Sequence, residues 1–436
     1  GHAPQVQCRR HLMGAAVKRS LVVVLLLAIF AAEAAATGKA IFYNLAYSFA
    51  GLLALSYVWA WYNVARVSLQ RVSQSAQAQV GKVAEERFLL HNRGPLPALW
   101  LQVEDHSDLP DHHASVVINS LGARKQRGWT VRTVCRRRGR YRLGPLALVS
   151  GDPFGLFVRR RELKLETSIV VYPLAVDLPS FGALMGELSG GGPLHKRTHY
   201  VTTNVAGVRD YYPGDSFNRI HWPSTARTGR LIVKEFELDP TADIWLFADM
   251  EGAVQAERPP EEAAGTRSDL PLLPPRPLTA LEPTTEEYVV AVTATLSKYF
   301  LERNRAVGLL AYSQRLEMLQ PDRGERHLNR ILEILAVIRA RGNVSIAQLL
   351  ATTGASFSRH STAIVITPSV STGWVEVLRD LGRRGVLGMA VVVDPRSFGS
   401  VRDATAALQA LAESGIPAYR VREGDSLALA LAAPVS

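Results

Sequence analysis

Two apolar runs near the start of this chain constrain its folding more than any other feature. Residues 21–37 carry Glu33 as their single charge, and residues 40–61 carry none. At a rise of about 1.5 Å per residue, roughly 20 apolar residues in a helix cross a hydrocarbon core of about 30 Å. The second run meets that length, and the first sits at its short limit. Tyr57, Trp59, Trp61 and Tyr62 crowd the end of the second run, where amphipathic rings favour the headgroup level. The pattern predicts an N-terminal transmembrane helical hairpin within residues 1–66.

Orientation follows from the basic residues in the flanks. Arg9, Arg10, Lys18 and Arg19 precede the first run and Arg66, Arg71 and Lys82 follow the second, whereas the intervening turn carries only Lys39. The excess of Lys and Arg on both flanks places them in the cytoplasm, so the expected location is the inner cell membrane with the soluble domains cytoplasmic. A signal peptide over residues 1–36 is the alternative, since a basic start, an apolar stretch and Ala34, Ala35, Ala36 also fit one. Cleavage would leave the second run crossing inward, with the same destination for the rest.

A chain of 436 residues holds two or three domains at roughly 100–200 residues each. Its only cysteines, Cys8 and Cys135, form neither a disulfide framework nor a Cys-rich metal site. A formal charge of +11 and a pI near 9.8 imply attraction to an acidic surface, nucleic acid or anionic lipid, without choosing between them.

Residues 67–171 are expected to form a small β-sandwich-like domain. Short apolar or alternating segments at 88–90, 98–103, 115–118, 129–134 and 146–149 are separated by turn sequences such as Asn92-Arg93-Gly94-Pro95. The run Asp152-Pro153-Phe154-Gly155-Leu156-Phe157 has the composition of a structural corner with aromatic anchors. Arg124, Lys125, Arg127, Arg132, Arg136, Arg137, Arg138, Arg140 and Arg142 fall in one stretch without an acidic residue. Such a patch is a solvated strand face, a contact for anionic lipid or an acidic partner, or a nucleic-acid surface. Nucleic acid is the weakest of these, because no recognised nucleic-acid motif accompanies the charge.

A connector follows over residues 172–240, with Gly190-Gly191-Gly192-Pro193 as a loop. From residue 241 to 436 the rhythm is that of a doubly wound α/β domain. Strand candidates at 243–248, 306–311, 362–367 and 387–393 alternate with helical patterns at 285–304, 325–341, 373–384 and 402–413, as in a parallel sheet covered on both faces. Residues 257–283, rich in Pro, Glu and Ala, form a mobile excursion after the first of these strands.

The connector contains Gly207-Val208-Arg209-Asp210-Tyr211-Tyr212-Pro213-Gly214-Asp215, then Arg219-Ile220-His221-Trp222 and Ala226-Arg227. Pro213-Gly214-Asp215 is a tight turn, Asp215 is placed to cap a helix over 217–226, and Tyr212 and Trp222 offer rigid packing. This segment resembles the signature of the domain-of-unknown-function 58 (DUF58) family: a Gly, an Arg, an aromatic, Pro-Gly-Asp, Arg-x-Ile-x-Trp and a later Ala-Arg. The whole layout is similar to that family, and the resemblance implies a von Willebrand factor A-like fold for the C-terminal domain. It implies no established general activity; it implies association with a MoxR-type AAA+ ATPase as protein partner and an assembly or chaperone role. The signature charges form either an ion-pair network joining domains or a partner-docking surface.

Von Willebrand A-like domains often hold a metal through Asp-x-Ser-x-Ser, because Mg²⁺ takes hard oxygen ligands. Here the first strand ends in Asp249-Met250-Glu251-Gly252-Ala253, so Glu251 and Ala253 replace both serines. The later strand ends Thr367-Pro368-Ser369, where that pattern often has an Asp. The site at Asp249 and Glu251 is expected to be degenerate, with no metal and no cofactor. A membrane-anchored, non-enzymatic interaction protein is the leading expectation; a metal-dependent hydrolase or nuclease using Asp215, His221 and Asp249 is the alternative. No catalytic Ser elbow, His-Glu-x-x-His pair or P-loop supports the latter.

Overall fold

The computed structural model describes residues 3–73, 77–179, 181, 205–211, 220–236, 243–258, 281–354, 357–358 and 361–435. The chain divides into two compact units. The first comprises Gly1–Leu174, Arg267–Glu282 and Leu332–Ile338; the second comprises Ala175–Thr266, Pro283–Ile331 and Arg339–Ser436.

The first unit begins with two helices, α1 (Ala3–Thr37) and α2 (Ala40–Ala65). Gly38 reverses the chain between them at φ +67°, a conformation that strains any residue with a Cβ, and its N–H closes the first helix on the Ala34 carbonyl. The two helices pack side by side, with Phe30 and Phe49 stacked at 5.6 Å. Their stretches Lys18–Thr37 and Ala40–Ala65 are long and apolar enough to cross a membrane, judged by length and composition. Leu21, Leu25, Ile41 and Leu55 remain more than half exposed. Apolar area left in water costs roughly 25 cal/mol per Å², so this surface suggests association with a bilayer.

Ten strands follow: β1 (Val67–Ser73), β2 (Gln77–Gln79), β3 (Val83–Asn92), β4 (Ala98–Asp105), β5 (Val116–Leu121), β6 (Gln126–Val134), β7 (Gly139–Leu143), β8 (Leu146–Gly151), β9 (Val158–Leu163) and β10 (Thr167–Tyr172). Sheets β1-β3-β6 and β5-β4-β8-β9 enclose one core of Leu69, Phe88, Leu90, Leu101, Val103, Ile118, Leu146 and Leu148. Strand β3 shows how: its burial alternates along the strand, as period-two side chains require. A third sheet, β2-β10-β7, closes over Val80, Leu143, Ile169 and Val171. It was not anticipated, because β2 is only three residues long and β7 is broken by the charges of Arg140 and Arg142.

The arginine-rich stretch is not one free positive face. Arg127 and Arg132 lie on β6 and Arg140 and Arg142 on β7, which belong to different sheets, and the rest lie before and between these strands. Arg138 is fully buried. Acids distant in sequence pair with four others: Glu85 with Arg132 at 2.6 Å, Asp111 with Arg136 at 3.3 Å, Asp108 with Arg142 at 3.6 Å, and Glu282 with Arg137. Arg124, Lys125, Arg127 and Arg140 remain exposed.

The second unit carries β11 (Val205–Asp210), α3 (Trp222–Thr228) and β12 (Ile232–Phe236), then β13 (Ile244–Ala248), α4 (Thr285–Glu302), β14 (Val307–Tyr312) and β15 (Leu316–Asp322). The remaining elements are α5 (Glu325–Val337, whose residues from Leu332 on are counted with the first unit), α6 (Ile346–Thr353), β16 (Thr362–Thr367), α7 (Gly373–Arg383), β17 (Leu387–Val393), α8 (Thr405–Glu413), β18 (Ala418–Val421) and α9 (Leu427–Ala430). Six strands form one sheet in the order β15-β14-β13-β16-β17-β18.

That sheet is mixed, not wholly parallel. β15 returns antiparallel to β14 after the three-residue link Ser313-Gln314-Arg315, which is too short for a helical crossover. Elsewhere the strands are parallel, and alternation assigns their faces. Trp245 and Phe247 join Leu350, Trp374, Leu378 and Leu411 from α6, α7 and α8 in one core. Ile244, Leu246 and Ala248 point the other way, and α4 packs against β13, β14, β16 and β17. Helix α4 starts where Thr284 accepts a hydrogen bond from the Glu287 N–H, an N-cap that satisfies one orphan donor. Residues 259–280 of the excursion lie outside the described residues. Its two ends are joined: the Arg258 N–H donates to the Pro283 carbonyl and the Thr285 N–H to the Ala256 carbonyl.

Candidate functional site

The signature segment folds as a strand, a helix and a returning strand. β11 and β12 pair antiparallel, with Gly207 opposite Glu235 and Arg209 opposite Val233. Tyr212, Pro213, Gly214, Asp215 and Arg219 lie outside the described residues. Ile220 is buried and bridges Val233. The His221 N–H donates to the Ile232 carbonyl at 2.7 Å, and the Ile232 N–H donates to the Thr225 hydroxyl at 3.0 Å. These bonds fix α3 onto the hairpin, so Gly207, Arg209, Ile220, Trp222, Ala226 and Arg227 belong to one local substructure.

Two expectations change here. The helix starts at Trp222, not at 217, because Pro223 occupies its first turn, where a fixed φ and a missing N–H are tolerated. Gly229 ends it at φ +69°. Trp222 was expected to supply packing, yet it is 64% exposed. Ala226, Arg227 and Leu231 are exposed beside it in sequence. An indole exposed to this degree buries only a minor part of the area that makes aromatic residues valuable in cores.

The end of β13 forms the second candidate. Asp249 is buried, 2% exposed. One carboxylate oxygen accepts the Thr367 hydroxyl at 2.5 Å and the other accepts the Glu251 N–H at 3.0 Å. Burial pushes its carboxyl up to about 6, against the two hydrogen bonds, which lower it, and with the nearby Glu251 charge, which raises it. The Thr367 hydroxyl in turn accepts from the Ser369 N–H at 2.9 Å, and Gln255 donates to the Asp249 and Glu251 carbonyls. Both Asp249 oxygens are thus engaged by protein donors, and among the described residues no cluster of three or more His, Cys, Asp or Glu is arranged to hold a metal. The set of donors fits a closed hydrogen-bond network better than an open Mg²⁺ shell.

His221 holds no catalytic partner at this place. Its Nδ1 lies 2.7 Å from the Ser224 hydroxyl, and no hydrogen bond joins it to Asp249 among the described residues. Asp215 lies outside them, so the proposed hydrolytic trio is not assembled by the described geometry.

A charge cluster inside the β region escaped the sequence reading. Arg71 reaches Glu86 at 2.7 Å and Asp105 at 3.2 Å, and His112 reaches Asp105 at 2.9 Å, with every side chain in the set at most 4% exposed. Ser107 donates to Asp105, and the Arg71 guanidinium lies over the Phe88 ring. Burial would raise the Asp105 carboxyl, but hydrogen bonds from His112 and Ser107 and the charges of Arg71 and His112 hold it below the ordinary carboxylate value. The only sequence signal was an arginine set between Leu69 and Val72 in a strand. Cut off from solvent, this cluster holds strands together and reaches no ligand.

Residues 207–258 and 279–401 match the family model described as "Protein of unknown function DUF58". Over 303 residues the chain is also 23% identical to the uncharacterized protein YeaD of Bacillus subtilis (strain 168), covering 66% of this chain and 65% of that one. These matches support membership of the DUF58 family. The chain therefore spans just under two thirds of the YeaD length. The DUF58 match includes α3, β12, β13 and β16, so both candidate regions fall inside it. Among solved structures, the CARDB domain of a Pyrococcus furiosus protein aligns with 24% of the chain and 91% of that domain at 16% identity, with a TM-score of 0.18. A β-glucosidase from Listeria innocua aligns with 24% of the chain and 16% of that enzyme at 12% identity, with a TM-score of 0.17. Likenesses this weak carry no argument about this chain.

Proposed function

We propose that this DUF58 chain is a membrane-anchored, non-enzymatic assembly protein whose soluble units lie in the cytoplasm and engage a protein partner, a MoxR-type AAA+ ATPase. The observation that carries the reading is Trp222, 64% exposed on α3 of the signature segment. Trp and Arg are the residues that most often dominate protein interfaces, and Arg227 shares that short helix. The six-stranded sheet with one antiparallel edge, and Asp249 at the end of a central strand, support a von Willebrand A-like fold whose metal site has degenerated.

Retention of an ATPase by full-length protein solubilised from native membranes tests this reading. The expected result is co-purification that Trp222→Ala with Arg227→Glu reduces at least tenfold. Recovery of general membrane proteins alone, or retention untouched by the double variant, would sink it. The hydrolase alternative gains no support from Asp249, both of whose carboxylate oxygens accept local donors, or from His221, whose Nδ1 is held by Ser224.

A further inference from the structure

The Asp152–Phe157 turn does more than end a strand. Asp152 builds it, accepting the Phe154 N–H at 2.9 Å and the Phe157 N–H at 2.6 Å on its two carboxylate oxygens. The turn touches both N-terminal helices. Phe157 packs edge-on to Tyr57 of α2 with centroids 5.7 Å apart. Gly155 lies so close to α1 that a Cβ there would stand 2.9 Å from Arg19 Nη1. Arg159, just after the turn, lies 4.7 Å over the Tyr57 ring and donates to its hydroxyl.

Arg19 and Tyr57 are each 19 residues from Gly38. At about 1.5 Å per residue, both therefore stand about 28 Å from the hairpin tip, close to the hydrocarbon thickness of about 30 Å. The turn meets the two helices at the level where a bilayer would end. At that level Phe154 is 55% exposed, and among the described residues neither Arg19 nor Arg159 is paired with a carboxylate.

We infer that the Asp152–Phe157 turn is a lipid-contact site, in which Phe154 enters the membrane interface and Arg19 and Arg159 bind phosphate groups of anionic phospholipids. The inference rests on α1 and α2 spanning a membrane. Aromatic side chains favour the interface, and arginines near an anionic surface are attracted to it within a Debye length. The occupant is a lipid headgroup, because the acyl phase that the helices require is continuous with this site. Arg159 serves two ends: its plane covers Tyr57 while the rest of its fork remains available to a phosphate.

Spin labels on the full chain in nanodiscs test the depth. With Cys8→Ser, and with the buried Cys135 left in place, single cysteines replace Phe154, Tyr47 and the fully exposed Val401. Tyr47, nine residues from Gly38, reports the bilayer interior. The expected result is that positions 47 and 154 both favour collision with oxygen over a water-soluble nickel complex, 47 more strongly, while 401 favours nickel. If 47 is deep and 154 matches 401, the lipid contact is wrong and the spanning helices stand. If 47 also matches 401, both fail. A second measurement reads charge: spin-labelled phosphatidylglycerol should be retained at the protein at least twofold over phosphatidylcholine. Arg19→Gln with Arg159→Gln should bring that ratio to about one, and a ratio unchanged by the double variant would overturn the phosphate contact.

Discussion

Thr367 donates its hydroxyl to Asp249 across 2.5 Å, from the end of β16 to the residue that follows β13. The two strands are parallel neighbours with Ala248 beside Ile366, so the next residue on each brings hydroxyl and carboxylate together. A carboxyl held there is isolated from water, and its proton affinity becomes coupled to folding.

Burial raises the Asp249 carboxyl from 3.8 to about 6. Between those values the folded state binds a proton that the unfolded state has lost, so stability falls as pH rises through that window. The full cost is about 3 kcal/mol, at 1.36 kcal/mol per unit. Hydrogen exchange of the β13 amides in the full chain should therefore slow as pH falls from 7 to 5, after correction for intrinsic exchange. Asp249→Asn should flatten that dependence, and a variant that retained the wild-type slope would show that another group titrates there.

Mg²⁺ at millimolar concentration should leave the unfolding temperature unchanged, because a cation would have to displace the Thr367 hydroxyl and the Glu251 N–H from Asp249. Binding to the native state alone would raise that temperature by mass action. A rise that Asp249→Ala abolishes would restore a metal site to this position.

Arg71 stands between two buried carboxylates, so Arg71→Met should destabilise the first unit by about 3–5 kcal/mol, the usual effect of stranding a buried charge. Adding Glu86→Leu should recover part of the loss, because one stranded carboxylate is then gone. Denaturant midpoints followed by fluorescence of Trp129, which stacks on Phe88 at 5.2 Å, would measure both. Equal or greater loss in the double variant would show that packing, not charge, controls the site.

Trp222→Ala should change stability by less than about 0.5 kcal/mol, the range for surface substitutions outside special features, while weakening partner retention. A large drop in unfolding temperature would mean that the indole is buried in the working protein by its own chain.

Local pattern alone made parts of the fold legible. Residues 362–367 and 387–393 are apolar runs bounded by polar turns, and both strands occur at those limits; a strand buried on two faces writes itself as continuous hydrophobicity. β15 did not, because its edge position leaves alternate residues in solvent and Pro321 interrupts it. The start of α3 was available in Pro223 but was assigned too early, to a cap at Asp215.

What the sequence by itself determined is solvent preference: which stretches are long and apolar enough to cross a membrane, which seek a core, and which short segment carries the DUF58 resemblance. Tertiary structure alone decided which charges meet. Glu85, Asp108 and Asp111 reach the arginine stretch, Arg71 gathers Glu86 and Asp105, and Trp222 is turned outward. Hydrophobicity is a property each residue carries with it, whereas an ion pair or an exposed indole exists only after distant backbone segments have been brought into register.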